Sequence, residues 1–255
     1  MSTLATLRSD VAGVLGLDYD AANPTNGDGP RLTAWANDAV IDMLRRTHVY
    51  VTTDTLNLTP GTGDYDLLTL KPGWLAIEDI YTTSSNSNFR LQRLSTTDLI
   101  NLRLFSVTTS PEKMWSLSGA NLLMLYPAPI QSDVLTVYYV PKPTALSGNT
   151  DDPSSASLGG IPTEFHYGLE LYMQWRAGDA FDDESSSNGE SYRRMYLGDP
   201  TAPPGTEQRD GFIGTMKKDV RKKAGKHLGG ILIPPRNRRI YIPQPGVDVG
   251  SQYAG

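Results

Sequence analysis

The stretch "RLTAWANDAVIDMLRRT", residues 31–47, sets Leu32, Trp35, Ala36, Ala39, Val40, Met43 and Leu44 along one side of a helix. Arg45 and Arg46 suit the negative end of its dipole. A stripe this wide must be covered, and the hydrophobic period changes from helical to alternating at Val49. A second helical stripe precedes it, with Leu4, Leu7, Val11, Val14 and Leu15 recurring after the capping types Ser2 and Thr3. Gly16 and the turn-rich "NPTNGDGP" separate the two.

From Val49 the pattern is β. "VYVTTDTLNLT" alternates, "PGTG" turns it into "DYDLL", and then come "WLAIEDIYTT", "FRLQRL", "KMWSLSG", "NLLMLYPAP" and "DVLTVYYVPKP". Turn clusters separate these runs, and "STTDLINLRL" predicts a short capped helix. The spacing predicts an antiparallel sandwich or barrel-like block, with connections too short for parallel crossovers. A polar loop, "TALSGNTDDPSSASLGG", follows without periodicity.

Helical spacing then returns. "IPTEFHYGLELYMQWRAGDAF" places Phe165, Leu169, Tyr172, Met173 and Ala177 on one face, with Pro162 at its first turn. "DESSSNGESYRRMYL" predicts another helix with Tyr192, Met195 and Tyr196 inward. The helical stripes are best satisfied by packing on one another, which makes the β block an insertion in a bundle. The expected fold is therefore α+β: N-terminal bundle helices in 1–48, an inserted β domain in 49–143, a loop and C-terminal bundle helices in 144–198, and a linker and basic arm in 199–255. Trp35, Val40 and Leu44 are expected in one core with Phe165, Leu169 and Tyr172.

Charge is segregated along this plan. Residues 217–239 hold nine of the 23 Lys and Arg but only one of the 28 acids, Asp219, so the rest of the chain carries a net −13. The body is acidic and the C-terminal region basic. The chain has no cysteine, so disulfides and thiolate metal sites are excluded. The N-terminal stretch lacks the basic, apolar and cleavage regions of an export signal, and no run approaches the length of a membrane span.

Residues arranged for catalysis are missing. His48, His166 and His227 lack a second histidine at the spacing a helical zinc site needs. Asp179, Asp182, Asp183 and Glu184 lack the alternation and central glycine of a calcium loop, and favour the next helix's N-terminus instead. "PGTGDYD" lacks the lysine of a phosphate loop, and no Gly-x-Ser-x-Gly elbow occurs. No enzyme, cofactor or metal is expected.

Leu32, Trp35, Asn37, Asp38 and Ala39, then Pro111, Trp115, Leu125, Tyr126 and Pro127, then Ile161, Pro162 and His166 follow an order that resembles the head-to-tail adaptor, or connector, proteins of tailed bacteriophages. The likeness spans about residues 1 to 198. It implies a structural virion protein made in the host cytoplasm, forming a ring, commonly a dodecamer, beneath the portal. It also implies partners: the portal ring, neighbouring adaptor copies and the next neck or tail protein, with DNA passing through the channel and no membrane. An acidic wall suits that channel, since it repels DNA. Two other readings stand beside it. One is another neck or tail-completion protein, and the other is a nucleic-acid-binding module whose Lys217, Lys218, Arg221, Lys222 and Lys223 grip phosphate.

The departure from the resemblance is a C-terminal extension of over fifty residues. Its first part, "MKKDVRKKAGKH", can form a short helix. "ILI" and "IYI" are each followed by proline, which a strand end tolerates. They suit addition to another subunit's sheet, where backbone hydrogen bonds supply affinity. The expected arm is disordered when free and orders on assembly, with Ile231, Ile233, Ile240, Tyr241 and Ile242 in partner contacts and Arg236, Arg238 and Arg239 in ion pairs.

Overall fold

A computed structural model describes residues 2–82, 89–105, 114–119, 121–181 and 188–227. It opens with α1 (Leu4–Leu15) and α2 (Gly29–Thr47). The Thr3 hydroxyl accepts the Thr6 N–H and so caps α1, while α2 has a proline in its first turn. His48 ends α2 in the left-handed conformation (φ 52°), with its imidazole against the Glu78 carboxylate where the chain leaves the helices for the strands.

The β region begins with β1 (Thr52–Asn57), β2 (Asp64–Asp66), a short helix α3 (Leu67–Leu70) and β3 (Trp74–Thr82). It continues through β4 (Phe89–Arg90), β5 (Gln92–Arg93), α4 (Thr96–Phe105), β6 (Met114–Ser118), β7 (Leu122–Tyr126) and β8 (Val134–Pro141). Two four-stranded sheets result, ordered β1-β8-β3-β4 and β2-β7-β6-β5. They are not closed into a barrel. Leu56, Ile77, Ile80, Leu135 and Val137 of the first sheet meet Tyr65, Trp115, Leu123 and Leu125 of the second in one core. Alternation along the strands supplies each inner face.

Two features of this block depart from the sequence reading. "FRLQRL" is divided between the sheets: β4 pairs with β3 and β5 with β6, while Leu91 between them is buried and donates its N–H to Ile80 O. The β5–β6 pair is parallel, because α4 lies between the two strands and carries the chain back to the same end of the sheet. Arg103 of α4 donates to Gly63 O (2.9 Å) and Leu125 O (3.0 Å) and pairs with Asp64 at 2.7 Å, tying that helix to the second sheet.

The chain returns to helix in α5 (His166–Ala180), α6 (Asn188–Leu197) and α7 (Glu207–His227). Trp35, Val40, Leu44, Phe165 and Leu169 lie in one buried cluster, with Tyr172 packed against it. The polar segment 144–160 is a strap rather than a free loop. Asn37 of α2 accepts the Leu146 N–H (2.7 Å) and donates to Leu146 O (3.0 Å). The buried Arg8 guanidinium reaches Asn149 Oδ1 at 2.8 Å, and Leu4 N–H bonds Asp151 O.

The stretch expected as linker and start of the arm differs most. From Phe212 to Val220 it is helical, and Ile213 and Met216 are buried in the bundle core with Phe212 and Val220 packed against it. Ile213, Met216 and Val220 recur at helical spacing, a stripe masked in the sequence by the surrounding lysines. The bundle is thereby built from α1, α2, α5, α6 and α7.

Trp35→Ala is expected to destabilise the protein by about 3–5 kcal/mol, as large buried aromatic truncations do, whereas Leu104→Ser, at a side chain 71% exposed, should leave urea unfolding within about 0.5 kcal/mol of wild type. Met216→Ala should cost about 2–5 kcal/mol if α7 is part of the body. Lys222→Ala on the same helix should be near neutral, and equal midpoints for these two variants would detach α7 from the core.

Candidate interaction surface

How α7 is seated decides where the basic residues point. Gly211 interrupts the helix with φ 60° and ψ −171°. A Cβ at Gly211 would lie 2.2 Å from Gly198 N, and one at Gly198 2.1 Å from Arg209 O, so the two backbones cross in contact. Only glycine permits both the positive φ and that approach. Asp199 N–H donates to Gln208 O at 2.7 Å, and Arg209 donates to Ala202 O at 2.9 Å, fixing the crossing. Beyond the kink the apolar stripe turns inward, and Lys218 and Lys222 turn outward.

Of the residues expected to bind a partner, Lys217 is half-buried on α7, while Lys218 and Lys222 are exposed. Lys218 pairs with Asp210 across the kink, and Lys222 lies 3.8 Å from Asp219. Arg221 and Lys223 fall within α7. Ile231, Ile233, Arg236, Arg238, Arg239, Ile240, Tyr241 and Ile242 lie outside the described residues.

Elsewhere several ionisable groups are used in local pairs and caps. Asp54 accepts from Lys71 Nζ (2.8 Å), Trp74 Nε1 (3.3 Å) and the Thr55 N–H, and Lys71 above all holds its carboxyl below the usual range. Asp42 receives the Tyr196 hydroxyl at 2.9 Å and Arg46 at 2.7 Å. Burial, reinforced by the Asp42 charge, pushes the Tyr196 phenol far up. His166 is buried, with Nε2 bonded to Ile161 O at 3.0 Å.

Among the described residues no group of three or more His, Cys, Asp or Glu side chains could hold a metal ion. Asp179 lies 4.0 Å from Arg176, while Asp182, Asp183 and Glu184 are outside the described residues. A cleft of about 580 Å³ beside α6 and α7 is lined by Glu190, Ser191, Arg194, Met195, Asp199 and Gln208. Arg194 there pairs with both Glu190 (3.2 Å) and Asp199 (3.9 Å). No helix among the described residues is long and apolar enough to cross a membrane. The described residues form a helical bundle, a two-sheet block and a C-terminal helix with Lys218 and Lys222 exposed.

No curated protein matches the sequence. The SU10 adaptor protein family matches residues 2–204, which spans α1 through α6 together with the whole β block. The chain therefore belongs to the SU10 adaptor protein family of phage adaptors and is a virion component that works through contacts with other phage proteins.

Proposed function

We propose that this adaptor forms a ring beneath the portal at the exit of the packaged head, extends the DNA channel, and offers the docking surface for the next neck or tail component. The observation that carries this reading is the family match across residues 2–204, joined to the division between an acidic body and a basic C-terminal region. An acidic channel wall lets DNA slide without adhering, because phosphate contacts supply most non-specific affinity. The role is structural, and catalysis forms no part of it.

The basic region docks on the portal ring or a neighbouring adaptor. Lys217, Lys218, Arg221, Lys222 and Lys223 on α7 meet acidic surface, and the segment from Ile231 to Ile242 supplies strand-like contacts, with Arg236, Arg238 and Arg239 in ion pairs. Affinity per copy can be modest, since many copies in one ring bind together. The exposed lysines of α7 also favour a second reading, in which this helix grips nucleic acid. Salt-sensitive binding of random DNA by the isolated protein would favour it.

The test for docking is truncation after His227. A cut after Asp210 would also remove the buried Ile213 and Met216 and so confound folding with docking. The shorter deletion keeps all of α7. The truncated protein is expected to lose attachment to portal-bearing heads, measured by co-sedimentation, and attachment equal to the full chain would overturn docking through that segment.

A further inference from the structure

Three of the four sheet edges are short. The first sheet ends in β1 and β4 and the second in β2 and β5, and β2, β4 and β5 hold three, two and two residues. Short edges resist pairing with another chain, whereas a long one invites it. β1 is the long one, with six residues, and among the described residues it pairs on one side alone, with β8.

The hydrogen-bond phase decides which groups β1 leaves open. Leu58 N–H donates to Asp133 O at 2.8 Å, one step beyond the Asn57–Val134 pair. Bonded pairs alternate along an antiparallel ladder, so Leu56, Asp54 and Thr52 bond β8, while Thr53, Thr55 and Asn57 turn their backbone groups to the free edge. The Thr55 N–H is held by Asp54 Oδ1 at 2.7 Å. The N–H groups of Thr53 and Asn57 have no partner among the described residues. Side chains alternate with the same period: Thr53, Thr55 and Asn57 are exposed on the outer face of the sheet, and Leu56 is buried on the inner one.

We infer that β1 is the receiving strand for Ile240–Ile242 of a neighbouring copy, which adds to its free edge. This rests on the ring reading above and names the two segments that meet. An alternating apolar triplet fits an edge of this kind: Ile240 and Ile242 flank Leu56 on the inner face, and Tyr241 lies beside Thr55 on the outer one. Pro243 then ends the added strand, since it has no N–H to continue the ladder. Reach separates this triplet from the earlier one. α7 packs against α2 and α6, so the C-terminal segment leaves from the bundle. Ile240 stands thirteen residues beyond His227 and can lie about 45 Å from it, farther than the roughly 30 Å across three packed helices. Ile231 stands four residues beyond and reaches about 14 Å, which keeps it on its own copy. Each copy thus gives one strand and receives another, a heterologous contact whose repetition closes a ring when the rotation between copies divides a full turn.

The chain has no cysteine, so introduced thiols are unique. Full-length protein carrying Thr55→Cys and Tyr241→Cys is treated with a short bismaleimide, both on portal-bearing heads and at high concentration without them. The expected product is a ladder of dimers, trimers and larger species. A mixture of the two single variants is expected to give the mixed dimer, while each variant alone gives none. No product above monomer in either preparation overturns the contact. A link formed only within one chain overturns it in favour of the copy's own sheet, and a dimer from Thr55→Cys alone overturns it in favour of β1 pairing with β1. As a second arm, Thr53→Pro removes an outward donor without touching the β1–β8 bonds, and is expected to abolish the ladder at an unchanged melting temperature. Ile240→Pro with Ile242→Pro, outside the folded body, is expected to do the same whether or not Thr53→Pro folds. A ladder indifferent to that double change overturns the proposal. Electron microscopy separates the two readings: closed rings without the Thr55–Tyr241 link keep the ring and reject this contact, whereas a ladder from open chains keeps the contact and rejects the ring.

Discussion

The packing of α2 against α5 holds the molecule together, and it joins parts of the chain separated by the whole β block. Closing so long a loop costs entropy that only cooperative burial can offset. The Leu32-to-Leu44 stripe supplies that burial against Phe165, Leu169 and Met173. Asn37 fixes the register with its paired bonds to Leu146, 109 residues away, and Arg8 secures the same strap through Asn149. With both ends of the insertion held, the sheets are not free to swing. Val140 of β8 lies in the bundle core, and Leu75 and Ala76 of β3 pack against it.

That rigidity gives α7 its meaning. A basic segment on a loose chain would present charge in every direction. Anchored by Ile213 and Met216, with the Gly198–Gly211 crossing setting its departure, α7 holds Lys218 and Lys222 on its exposed side. An adaptor needs that property, since its partners are surfaces rather than small molecules. Most other ionisable groups are tied locally, as with Asp54 and Lys71, Asp79 and Arg90, or Asp42 with Arg46 and Tyr196. Such pairing stabilises corners of the fold.

The amino-acid order by itself determined the α+β class, the helical stripes at both ends and the strands between them. Periodicity records which side of each element must be buried, and that information is local. It also exposed the division of charge, which is a matter of counting. Tertiary structure alone decided which stripes meet and where the sheets divide. The split of "FRLQRL" between two sheets depends on Leu91 finding the shared core, and the parallel β5–β6 pair depends on where α4 lays its helix. The inward face of α7 was written in Ile213, Met216 and Val220, but lysines crowd that stretch, and an apolar stripe so short becomes structure only where a groove already exists to receive it.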